Sequence, residues 1–229
     1  MNFFIIVLIV GLFISLFSLF LLSRDDLTLL RKDVTLDKMF NLFFMDFLIG
    51  LFFSRIIFVI FSAPKMFLNP LAFLLFPYFP GLSLSGGVIS GILFLVFYCR
   101  SNKLPIGRIL DFFSLSFMIS LPVGYFGYFV LTLGKNIMSA VLAVVYIVLA
   151  FIFIKYFYQM LLKGSFRDGS LSLIFFSIFA FTSLAGEIVS KFADLLFLRQ
   201  PESYLHLLLL IFSIFFFVRQ ERLIKLRRR

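Results

Sequence analysis

Seven long apolar runs, separated by polar or basic connections, dictate what this chain can become. Hydrocarbon offers no water to satisfy backbone N–H and C=O groups, so apolar runs of this length become membrane-crossing helices that pair those groups internally. The spacing predicts spans at Met1–Ser23, Met39–Ser62, Leu82–Cys99, Ile109–Leu133, Ile137–Tyr158, Ser170–Ser190 and Tyr204–Val218. The expected fold class is all-α: a polytopic membrane helical bundle in which residues 1–229 form a single transmembrane domain. A hydrophobic content of 62% excludes a water-soluble enzyme. The first run has no basic residue before it and no small-residue cleavage site behind it, so it is read as a retained span rather than a signal peptide.

Charge then sets the expected orientation. A net charge of +10 would suit nucleic acid, but the basic residues sit between apolar runs instead of along one face, so no nucleic-acid partner is expected. With the C-terminus in the cytoplasm, most of the 21 Lys and Arg residues fall on the inner side. Arg24, Arg31, Lys32 and Lys38 occupy the first inner loop, Arg100, Lys103 and Arg108 the second, and Lys155, Lys163 and Arg167 the third. The basic tail, residues 219–229, is the last inner segment, which leaves the N-terminus outside. Trp is absent, so Tyr must supply any interfacial aromatic belt. The segment from Pro64 to Pro80 is broken by proline and reads as an interfacial outer loop. Cys99, the one cysteine, excludes an intramolecular disulfide, and without a Cys/His cluster neither a metal nor a cofactor is expected.

Ionisable groups inside spans are costly and are functional candidates by default. At 1.5 Å per residue, Arg55, Tyr125 and Glu187 each lie roughly 24–26 Å from the inner face, and Tyr128 one turn above Tyr125. Ser85, Gly86 and Gly87 open the third span from the outer side. Parts of four spans are thus expected to converge in the outer third of the membrane. Arg55 and Glu187 read equally as an ion pair that holds helices together or as ligand-binding groups. Gly87 and Gly91 form a GxxxG pair, which reads first as close helix packing. Asp46 and Asp111 lie nearer the inner face, where a structural role is expected: satisfying a helix end or a neighbouring base. His206 stands alone on a leucine-rich run and reads as a packed or hydrogen-bonded histidine.

These residues carry a resemblance that covers most of the chain. FFSRIIFVIF places an Arg late in the second span, NPLAFL follows in the outer loop, and GLSLSGG leads to LDFFSLSFMISLPVGYFGYF and finally SLAGE. Together they resemble the bacterial prolipoprotein diacylglyceryl transferases. The resemblance implies a multi-pass protein of the bacterial cytoplasmic membrane with its N-terminus outside. It also implies an outer-leaflet pocket for a phospholipid such as phosphatidylglycerol, and preprolipoproteins bearing a lipobox as protein partners. The family's reaction moves diacylglyceryl onto the lipobox cysteine thiol, forming a thioether and releasing glycerol phosphate. Arg55, Gly86, Gly87, Asp111, Pro122, Gly124, Gly127, Phe129 and Glu187 match the family pattern. Ser85 stands where the family has His, Tyr125 and Tyr128 where its signature has Arg and Asn, and Ser183 where it has a later Arg. Tyr has neither fixed charge nor a bidentate fork, and Ser85 is no base without an activator. The replacements speak against the standard transfer. The chain is expected to be either a diverged enzyme with rearranged groups, or a non-catalytic relative that binds lipid or a partner on the same scaffold. Arg55, Ser85, Gly86, Gly87, Tyr125, Tyr128 and Glu187 are the lipid-binding candidates.

Overall fold

A computed structural model describes residues 3–24, 26–62, 81–190 and 201–221. The elements are α1 (Phe3–Ser23), α2 (Leu27–Arg31), α3 (Leu36–Ser62), α4 (Leu84–Ser101), α5 (Ile106–Leu131), α6 (Ile137–Ile152), a π-helical turn (Phe153–Phe157), α7 (Tyr158–Leu162), α8 (Ser170–Ser190) and α9 (Pro201–Gln220). Of the described residues 86% are helical and none is in a strand, so the fold is all-α as expected. Seven stretches are long and apolar enough to cross a membrane: α1, α3, α4, α5, the run from α6 through α7, α8 and α9. The expected proline-broken loop, with NPLAFL, and the last residues of the basic tail, 222–229, lie outside the described residues.

Helix α5 is the axis of the bundle. Its crossing segment is 56% buried, against 33% for the next most buried span, because α1, α6, α8 and α4 all pack on it. Ile109, Phe112, Phe113, Leu115 and Met118 present its core face. Several hydroxyls within the apolar helices return to their own backbone: Ser15 Oγ donates to Gly11 O at 2.9 Å and Ser23 Oγ to Leu19 O at 2.6 Å. This spares hydrocarbon an unpaired polar group. The GxxxG pair behaves as close packing. A Cβ on Gly87 would stand 3.3 Å from Gly50 O on α3, and one on Gly91 would stand 3.1 Å from Asp46 Oδ1.

Helix ends are set by local capping, which the apolar pattern did not resolve. Helix α4 begins at Leu84, since Ser83 Oγ accepts from Gly86 N at 3.2 Å. Helix α5 starts at Ile106 rather than Ile109 and stops at Leu131, where Leu133 and Gly134 turn the chain at φ values of 52° and 74°. The fifth span runs past Tyr158 to Leu162 through the π-helical turn. The first polar loop contains an unforeseen short helix, α2, capped by Asp26 Oδ1 accepting from Leu29 N at 2.9 Å.

One end of the bundle is tied by a buried polar knot. Arg108 donates from Nε and Nη2 to Asp26 Oδ2, at 3.0 and 2.5 Å, and from Nη1 to Asp168 Oδ1 at 3.2 Å. Asp111, with no exposed surface, accepts from Gly169 N at 2.7 Å and Ser172 N at 2.8 Å, and so caps α8. That is the helix-end role expected of it. Arg167 Nη1 donates to Gln220 O at 2.8 Å, Ser170 bonds to Glu221, and Tyr158 O–H donates to Leu22 O at 2.9 Å. The three loops rich in Lys and Arg, with the end of α9, therefore meet at the same end of the bundle.

Candidate functional site

A cavity of about 690 Å³ runs most of the length of the bundle, from Tyr128 and Leu131 at the far end to Phe43 and Leu110 near the knot. Helices α1, α3, α4, α5, α6, α8 and α9 all contribute to its wall. Residues four apart on a helix share a face, so α5 presents Leu121 and Tyr125 together, and α8 presents Ser183 and Glu187. Ser85 and Gly87 reach the wall from the first turn of α4, and Tyr128 from one turn above Tyr125. Pro122 removes an α5 amide just below Tyr125, at the level where Gly124 leaves the wall open: a Cβ built on Gly124 meets nothing within 4 Å.

Tyr125 is fixed by its neighbour. Its ring stacks on Tyr146 with centroids 5.4 Å apart and planes 7° apart, and the Tyr146 hydroxyl lies 2.6 Å from Thr182 Oγ1 on α8. Glu187 is held from α9. Ser203 Oγ donates to its Oε2 at 2.5 Å, and His206 Nδ1 stands 3.2 Å from its Oε1. That contact is close enough for ionic attraction but off the line that a hydrogen bond needs, leaving buried Nδ1 without a hydrogen-bond partner. His206 is only 6% exposed, packs against Phe179 and lines the cavity. The histidine was expected to be packed, and it is. Its place beside Glu187 was missed, although Glu202 and His206, four apart on α9, carried the signal that they share a face.

Arg55 and Gly86 stand behind the wall rather than on it. Arg55 is buried, its Nη1 donates to Gly81 O at 2.8 Å, and its guanidinium lies 5.8 Å from the Phe58 ring centre. Beside it, Ser54 Oγ donates to Ser83 O at 2.8 Å while Ser83 N donates back to Ser54 O at 3.2 Å. Arg55 thus helps to clasp the end of α3 to the segment entering α4. Among the described residues, Arg55 bonds to Gly81 and Glu187 to Ser203. Gly86 faces Ile57, where a Cβ would come within 2.8 Å of Cδ1.

Asp46 departs from expectation. No helix end or base takes it up. It lines the cavity, and its Oδ1 is buried without a hydrogen-bond partner. Asp46 lies below the level at which the four spans are expected to converge, and the cavity reaches down to it. Its described wall contains three carboxyl groups, Asp46, Glu187 and Glu202, with His206 and neither Lys nor Arg. Lys191, the cation that follows α8 in the sequence, lies outside the described residues.

Fold and site define a multi-pass helical membrane protein whose spans share one deep cavity. No curated protein matches the chain closely enough to count as a relative. The family model described as prolipoprotein diacylglyceryl transferase matches residues 1–219, and the chain belongs to that family.

Proposed function

We propose that this chain is a divergent family member that holds a phospholipid in the cavity and does not perform the standard transfer of diacylglyceryl to a lipobox cysteine. One observation carries the proposal: Ser85, Tyr125, Tyr128 and Ser183, the positions at which family residues are replaced, all line the same cavity as Glu187 and Gly87. A cavity of about 690 Å³ is within the size range of ligand sites, roughly 300–1,000 Å³. The Leu and Phe side chains that line it on α1, α3, α4 and α5 suit acyl chains. A departing glycerol phosphate needs positive charge aimed at it, and the described wall offers no fixed cation. Ser85, Gly87, Tyr125, Tyr128 and Glu187 are the proposed lipid contacts, with Gly86 and Arg55 shaping the wall behind them.

Orientation is part of the same proposal. The loops carrying Arg31, Lys103, Arg108 and Lys163 meet at one end of the bundle, which supports a cytoplasmic placement for that end in a bacterial inner membrane. The N-terminus and the part of the cavity lined by Ser85, Tyr125, Tyr128 and Glu187 then lie on the outer-leaflet side, and the basic tail, residues 219–229, is cytoplasmic. Lipobox-containing preprolipoproteins are the protein partners to test. Complementation separates the two readings left open by the sequence. Expressed in cells depleted of their own transferase, this chain is expected not to restore lipoprotein modification. Thioether-linked diacylglycerol on a lipobox peptide incubated with the pure protein would instead establish it as a diverged enzyme.

A further inference from the structure

The turn between α5 and α6, at the far end of the bundle from the polar knot, carries a cation that the described wall of the cavity lacks. Leu133 and Gly134 turn the chain at positive φ, held by Gly134 N donating to Phe129 O at 3.0 Å and Lys135 N to Thr132 O at 3.1 Å. Asn136 Oδ1 then accepts from Ser139 N at 3.3 Å and starts α6. Lys135 is thus set on a bonded turn, with its side chain exposed. It lines an outer recess together with Tyr128, Leu131 and Asn136, and those three residues also line the cavity. Recess and cavity therefore adjoin at this end. None of the ion pairs among the described residues takes up Lys135.

Length bears on which part of a lipid sits there. Tyr128 and Leu110, both in the wall, are eighteen residues apart on α5, or about 27 Å along the helix axis. The hydrocarbon of one leaflet is about 15 Å deep, so ordinary acyl chains fit below a headgroup held at this end. We infer that the bound phospholipid lies with its acyl chains in the cavity and its phosphodiester at the outer end, against Lys135. This rests on the lipid-pocket reading above and adds to it a direction and an anchoring residue. An ammonium donates a charge-assisted hydrogen bond to a phosphate oxygen, and the phosphodiester is common to phospholipids of every headgroup. At this exposed position water and salt screen the charge, which suits Lys135 to holding a phosphate rather than driving its departure.

The test uses the purified, delipidated full-length protein in a neutral detergent, with a pyrene-labelled diacylglycerol as the bound probe. Phosphatidylglycerol and unlabelled diacylglycerol with identical acyl chains compete for it, so the two competitors differ only in the phosphate headgroup. Phosphatidylglycerol is expected to displace the probe about fivefold better than diacylglycerol. Lys135→Gln is expected to remove that advantage and leave diacylglycerol unchanged, while Lys135→Arg keeps it. Added salt is expected to shrink the advantage in the unsubstituted protein and to have no such effect in Lys135→Gln. Glycerol phosphate at equal concentration is expected to leave the advantage intact. Gly124→Phe, which projects into open cavity, serves as the blocking variant and is expected to abolish probe binding. Equal displacement by the two lipids, an advantage that survives Lys135→Gln, or a Lys135→Gln loss shared by diacylglycerol overturns the anchoring inference and leaves the pocket intact. An advantage erased by glycerol phosphate assigns Lys135 to soluble phosphates and also overturns it. A probe that does not bind, or that binds equally well to Gly124→Phe, removes the pocket reading itself and the inference with it.

Discussion

At the scale of single residues, cost and role can be separated by what each polar group touches. Arg108 neutralises Asp26 in a setting where both side chains are almost fully buried, 7% and 2% exposed. Arg108→Ala leaves that carboxylate buried and unpaired, and a loss of about 3–5 kcal/mol is expected in equilibrium unfolding in mixed micelles. Asp111→Ala removes the acceptor for two buried amides at the start of α8, and a loss of about 1–3 kcal/mol is expected, less for Asp111→Asn, which keeps one acceptor. Asp111 was legible in the sequence, because a carboxyl just inside a span near a loop has few other uses. Asp46 has the same residue type and the opposite fate. Asp111 meets a helix N-terminus, whereas Asp46 Oδ1 is packed against Gly91 of α4 without a hydrogen-bond donor, and only the packing of α4 and α8 decides which.

At the scale of elements, glycines mark where helices touch and where they do not. A Cβ on Gly107 would fall 2.4 Å from the Asp168 carbonyl oxygen, a backbone atom that cannot swing aside. Gly107→Ala is therefore expected to pry the start of α5 from the loop before α8 and lower the thermal midpoint. Gly124→Ala enters open space within the same helix and is expected to raise stability by about 0.5–1 kcal/mol through helix propensity alone. Both midpoints come from one fluorescence-detected melting series, and equal shifts would contradict the packing described for α5. The seven spans and the α3–α4 glycine seam were legible, because apolar length and GxxxG spacing are strong signals. Helix α2 and the π-helical turn were not, since a five-residue helix depends on one cap and a π turn leaves the apolar run unbroken.

At the scale of the whole molecule, loops distant in sequence gather at one end, and the cavity positions at which family residues are replaced lie toward the other. The charge pattern foretold the grouping of the loops. The cavity's acidic wall was invisible to it, because Asp46, Glu187 and Glu202 come from three helices whose mutual rotation no single-span pattern fixes. Orientation is open to direct labelling, with little background from Cys99, which has no exposed surface. In intact cells, Lys135→Cys is expected to react with an impermeant thiol reagent and Lys103→Cys to be protected, and the reverse pattern would invert the proposed topology. The central claim, that a phospholipid occupies this cavity, is tested most directly by photo-crosslinking. A phospholipid carrying a photoreactive acyl chain is irradiated with the protein in native membranes, and the labelled peptides are mapped. Label on 121–128 and 183–187, lost in a folded Gly124→Phe variant, is the expected result. Label confined to outward-facing side chains such as Phe181 and Val189, both more than 60% exposed, and unchanged by Gly124→Phe, would contradict it.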